Sequence, residues 1–133
     1  MLPDLDAVTA SYHRCRASDR FIETFYEHFL AKSKEVAEKF RGTDFTRQKF
    51  MLRESLLMML LFNHDDPGAV EELERLAERH SRRGVDIPPH LYSLWLDALC
   101  EAVEKDDPEY KPTLNDKWRA AMRPGIELLM SKY

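Results

Sequence analysis

Five histidines, His13, His28, His64, His80 and His90, are the side chains of this sequence best suited to ligate a metal or move a proton near neutral pH. Only His80 combines a helix end with an apolar face beneath it, supplied by Leu76 and Leu73 one and two turns back. Taken alone, such a histidine is more simply a packed or surface residue at a helix C-terminus, where a cation is mildly favoured. No GxGxxG, P-loop, HExxH or GxSxG motif occurs, so phosphate binding by such a loop, zinc hydrolysis and triad catalysis have no sequence support. Cys15 and Cys100 lie far apart and form no CxxC pair, which suggests neither a zinc site nor a disulfide framework. Met51, Met58 and Met59 read as flexible core filler rather than metal ligands. The acid-rich stretch 101–109 reads as a solvated turn, because its carboxylates lack the order of a metal-binding loop.

The elements that must position His80 are helical. Leu, Glu, Arg, Ala, Lys and Met dominate, Gly is scarce, and no Asn-Gly or Asp-Gly hairpin dipeptide occurs. Ser18 and Asp19 offer N-cap chemistry ahead of Phe21, Ile22, Phe25, Phe29 and Leu30, whose spacing predicts a helix over about residues 18–33. Thr43 and Asp44 cap a helix carrying Phe45, Gln48, Leu52, Leu56 and Met59; its last two turns are apolar all round, which predicts central burial. Asp65, Asp66 and Pro67 stop that helix and start the one ending at His80, after which Gly84 suits a left-handed residue. Pro88 and Pro89 open a helix through Tyr92, Trp95, Leu96, Leu99 and Val103, ending near Asp106. Pro112 opens the last helix, with Trp118, Met122, Ile126 and Leu129, and Pro124-Gly125 is expected to kink or break it.

Composition narrows the function classes. With 133 residues, 44% hydrophobic and 33% charged, the chain is expected to fold as one domain spanning 1–133, with core enough to need no disulfide or structural metal. The balance of 20 Lys+Arg against 24 Asp+Glu, net −4, has the wrong sign for a nucleic-acid partner. The N-terminus does not read as a signal peptide, and the longest apolar run, residues 56–62, is far short of a membrane span of about 20 residues. A cytoplasmic location with reduced thiols is the expectation.

Three separated segments, TFYEHFLAKSKEVAEKF at 24–40, RQKFMLRESL at 47–56 and LERLAERHSRRGV at 73–85, together resemble the globin family. Within it they are similar to bacterial single-domain haemoglobins and the haem domains of flavohaemoglobins. The resemblance runs from about residue 18 to residue 133 and implies an all-α, globin-like fold of about six to eight helices around a haem pocket. It implies that Tyr26 stands over the haem, that Phe40 wedges against its face, and that Gln48 faces the gas ligand with Leu52 one turn on. It places His80 as the iron ligand, Leu76 on the wall beneath it, Val85 at the exit of that helix, Tyr92 near the proximal ligand, and Arg79 beside a propionate. The corner between Phe40 and Gln48 is shorter than in those haemoglobins, which leaves Lys49 or Phe50 as alternatives to Gln48. The stretch from His80 to Tyr92 is longer, with Pro88 and Pro89 inserted, and Ser131 and Lys132 stand where flavohaemoglobins carry a glutamate. The absence of that glutamate, which in flavohaemoglobins hydrogen-bonds toward the proximal histidine, weakens a peroxidase-like role. The chain is expected to end after the last helix, without a reductase or transmitter.

The chemistry of these residue types agrees with the resemblance. A haem iron needs a neutral imidazole nitrogen on an apolar wall. Bound O2 carries partial negative charge, which a phenol or a carboxamide N–H can hold in a low-dielectric pocket. The expectation is a haem b (iron protoporphyrin IX) protein that reversibly binds a diatomic gas, O2 ahead of NO or CO, at a pentacoordinate iron. Its rivals are a haem-free interaction or sensing module, and an NO dioxygenase or peroxidase served by a separate reductase.

Overall fold

Asp4, Ser33, Asp44 and Asp66 each stand at the start of a helix, and each side chain accepts backbone N–H groups of the first turn, from Ala7, Val36, Thr46 with Arg47, and Ala69 respectively. These caps satisfy donors that a helix start leaves without partners. In the computed structural model, which describes residues 3–133, they open α1 (Leu5–Arg16), α3 (Lys34–Lys39), α4 (Phe45–Phe62) and α5 (Pro67–His80). The remaining helices, α2 (Phe21–Lys32), α6 (Leu91–Asp106) and α7 (Pro112–Ser131), begin without a side-chain cap. Among the described residues there are seven helices and no strand, within the expected range, and no helix is long and apolar enough to cross a membrane.

α2 lies along α6, α4 and α5 meet each other and α7, and α1 closes against α7 and α6. Their shared core holds Trp118, Phe21, Phe25, Leu56, Met59 and Leu99, all essentially inaccessible to solvent. Each such side chain contributes about 1.5–3 kcal/mol through burial, which is why tertiary packing outweighs local preference here.

Several local expectations change in that context. Ser18 does not cap α2; its hydroxyl accepts the Arg20 N–H at 3.2 Å in the turn ahead of the helix, which begins at Phe21. Pro88 and Pro89 lie just outside α6, their carbonyls accepting the N–H groups of Leu91 and Tyr92. α4 is not buried all round: Leu52, Leu56, Met59 and Leu60 face inward, whereas Leu57 is 39% and Phe50 59% exposed. Only one side of that helix finds neighbours. α7 passes through Pro124 without a break. Trp118, Met122, Ile126 and Leu129 anchor it on both sides of the proline, and their burial exceeds the roughly 3 kcal/mol that an internal proline costs.

The acid-rich stretch is also only partly solvated. Residues up to Asp106 complete α6, and Glu101 sits 2.7 Å from both His28 Nδ1 and Lys32 Nζ, tying α6 to α2. Asp107 is 4% exposed. It takes two hydrogen bonds from Arg14, at 2.6 and 3.0 Å, and one from the Ser11 hydroxyl at 2.6 Å, while Ser11 accepts the Trp118 indole N–H at 2.9 Å.

Candidate functional site

A cavity of about 570 Å³ lies between α4 on one side and α5 and α6 on the other, with α2, α3 and α7 closing it. That volume falls within the range of small-molecule and cofactor pockets. All nine residues singled out from the sequence, Tyr26, Phe40, Gln48, Leu52, Leu76, Arg79, His80, Val85 and Tyr92, line it.

His80 is the last residue of α5, half-buried, with Nδ1 2.9 Å from the Leu76 carbonyl oxygen. A carbonyl can only accept, so Nδ1 carries the proton of that bond and Nε2 keeps its lone pair when the ring is neutral. Burial pushes the imidazole below its ordinary pKa of 6.5, the Arg79 charge adds to the shift, and the Leu76 bond opposes it. A neutral nitrogen donor on a largely apolar wall is the result.

The turn beyond His80 is built differently from its sequence reading. Gly84 is not the left-handed residue; Asp86 is, at φ 54°. Gly84 is required for a steric reason instead, because a Cβ there would lie 2.1 Å from the Arg79 carbonyl oxygen. That close approach lets the Val85 N–H reach the same carbonyl at 2.8 Å and puts Val85 on the rim of the cavity.

Tyr26, on the same cavity, is 4% exposed, with Phe25, Phe40 and Phe45 edge-on around its ring at centroid distances of 4.9, 5.7 and 5.5 Å. Its hydroxyl donates to the Gln48 carbonyl at 3.4 Å, well beyond the usual O–H···O distance, so that bond is weak. Burial raises the phenol to about 12, so it stays a donor at any physiological pH. Of the three candidates for the facing position, Gln48 lines the cavity; Lys49 turns to Glu23 at 3.8 Å, and Phe50 points to solvent. Tyr92 is buried, its hydroxyl has no hydrogen-bond partner, and burial holds it at about 12.

The sequence reading did not single out Trp95, Phe29, Ile126 or Leu129 as cavity residues. They sit on the same apolar faces as core residues, so periodicity could find them as buried but could not separate a cavity wall from packed interior. Cys15 and Cys100 are buried and free, and burial raises their thiols to about 12 and 11, which leaves them unreactive. Among the described residues no group of three or more His, Cys, Asp or Glu side chains could hold a metal ion.

The crystal structure of protein PA3967 from Pseudomonas aeruginosa PAO1, described as structurally highly homologous to a human hemoglobin, superposes on this chain with a TM-score of 0.93. The two sequences are 40% identical over 97% of each chain. No family model matches the chain, and no curated protein does.

Proposed function

The chain belongs to the globin family, and from that premise we propose that it holds one haem b in the cavity and through it reversibly binds a diatomic gas, O2 ahead of NO or CO. The observation that carries this reading is His80, whose Nε2 lone pair stands on the wall of a cavity lined mostly by apolar side chains. The residues present fit the group. A flat apolar ring matches those walls, and the partnerless Tyr92 hydroxyl is a buried polar atom that a bound molecule can satisfy. Haem bound there would be held by His80 and would supply an iron able to take up a diatomic gas.

His80 acts by presenting its neutral form, and the Leu76 carbonyl fixes the ring tautomer that leaves Nε2 free. Phe40, Leu52 and Leu76 exclude water. Tyr26 is positioned to donate a hydrogen bond to a partly negative ligand, since its present acceptor is held only weakly at 3.4 Å. Gln48 offers a second donor from the first turn of α4. Arg79 stands on the rim as a partner for a propionate. Within the family, the segments around Tyr26, Gln48 and His80 support a bacterial single-domain haemoglobin, acting in the cytoplasm as a single domain.

Absorption spectra of the purified protein, oxidised, reduced and CO-bound, test the reading: a Soret band that shifts with each state is expected, and its absence makes the chain a haem-free module. His80→Ala is expected to lose stable haem incorporation, regained with added imidazole, while the chain stays helical. Retention of haem with an unchanged spectrum would remove His80 from the iron.

A further inference from the structure

A second cleft, of about 530 Å³, opens where the end of α5 meets the end of α7, lined by Glu78, Ser81, Arg82, Arg83, Lys132 and Tyr133. Three of the six are cations. Among the described residues none of the three lies within ion-pair distance of a carboxylate, although the chain carries 24 acids against 20 bases. Three cations beside the single carboxylate of Glu78 leave the cleft with a net positive charge, so the arrangement favours an anion from outside the chain.

Arg82 is also held in place beforehand. Arg82 and Arg83 stand on the turn after His80, whose backbone is pinned by Gly84 N–H and Asp86 N–H to the Ser81 carbonyl, each at 3.0 Å, and by Ile87 N–H to the His80 carbonyl at 2.8 Å. Ser81 is 5% exposed, and its hydroxyl accepts the Arg83 N–H at 3.3 Å. Arg82 stacks 4.6 Å from the centroid of the Tyr133 ring, and that phenol donates to Asp86 at 2.5 Å, which occupies the nearer carboxylate of the turn. An arginine already restricted in this way loses less side-chain entropy when it takes a ligand.

We infer that this cleft is a binding site for a small multivalent phosphate anion, with a diphosphate as the fitting class. Arg82, Arg83 and Lys132 together offer more positive charge than one carboxylate uses, and planar guanidinium forks match phosphate oxygens in pairs. Glu78, within the cleft, sets the sign of the selection: its charge offsets one cation, so a singly charged anion gains little and a multiply charged one gains most. The site stands apart from the gas-binding cavity and does not depend on haem.

Isothermal titration with inorganic pyrophosphate at fixed ionic strength tests this. One-site, saturable binding is expected, weakened about tenfold or more in the double variant Arg83→Gln/Lys132→Gln and less in each single variant. Both side chains are exposed, so far-ultraviolet circular dichroism should match wild type in all three. Absence of saturable heat, or equal affinity in the double variant, overturns the site. Tighter binding of polyglutamate than of pyrophosphate also overturns it, because the patch would then serve an acidic polypeptide.

Discussion

His80 couples proton uptake to folding. Its folded-state pKa lies below 6.5 because burial disfavours the cation, so as pH falls below about 6.5 the unfolded chain binds a proton that the folded chain resists. Its contribution to stability is therefore complete above about pH 6.5 and is lost as pH falls from there toward the folded-state value. The melting temperature should drop across that window, more steeply for haem-loaded protein because the ligand binds only the neutral form. His80→Leu should flatten the drop; thermal melts between about pH 5 and pH 8 decide, and an undiminished slope in the variant would assign it to another group. Under the proposed function, a hydrogen bond from Tyr26 to a polarised ligand is worth about 1.5–3 kcal/mol. Tyr26→Phe should then speed O2 release about tenfold or more and change CO release little, with Gln48→Leu doing the same more weakly. Lys49→Met should do neither, since Lys49 faces Glu23 outside the cavity. Stopped-flow release rates for both gases measure all three. His80 stands out in the sequence as the end of a helix of clear period, whereas Tyr26 is suggested only by the resemblance, since the apolar face read for α2 runs through Phe21, Ile22, Phe25, Phe29 and Leu30. Gln48 was not separable from Lys49 and Phe50, because the shortened corner before α4 removes the local reference that would set its register.

Two glycines show how the helices and their connections are fitted. In α7, a Cβ at Gly125 would lie 3.0 Å from Met59 Cε and 3.1 Å from Cγ, atoms of a flexible side chain on α4. At Gly84 the obstacle is the Arg79 carbonyl itself, 2.1 Å away. Gly125→Ala should therefore change stability by under about 1 kcal/mol, the gain in helix propensity offsetting the shift of Met59. Gly84→Ala should cost at least about 2 kcal/mol, because backbone cannot step aside. Urea midpoints rank the pair, and equal values would mean that the turn after His80 adapts. Existence and type of α2, α4, α5, α6 and α7 could be read from spacing, Pro67, Pro112 and the cap at Asp44, all of which act within a few residues. The short α3 and the opening α1 were not foreseen.

At the scale of the whole molecule, Asp107 joins three helices, drawing on Ser11 and Arg14 of α1 and, through Ser11, on Trp118 of α7. Asp107→Ala leaves the Ser11 hydroxyl and the Arg14 guanidinium without their acceptor and should cost about 2–3 kcal/mol, lowering the urea midpoint with an unchanged slope. A change in slope instead would mean that α1 detaches separately from the remaining helices. Nothing local distinguishes Asp107 from the solvated carboxylates beside it, since its partners lie 96 and 93 residues away. The same separation of scales runs through the protein. The all-helical class, the order of α2 and α4 to α7, the capped start of α4 and a histidine closing α5 over Leu76 and Leu73 were determined by the sequence alone, because propensity, caps and 3.6-residue periodicity act over one or two turns. The facing of Gln48, the burial of Asp107 and the convergence of Arg82 and Arg83 with Lys132 were decided only by the tertiary structure. Each depends on which helix surfaces meet, and that choice is made by summed burial across the whole core rather than by any local signal.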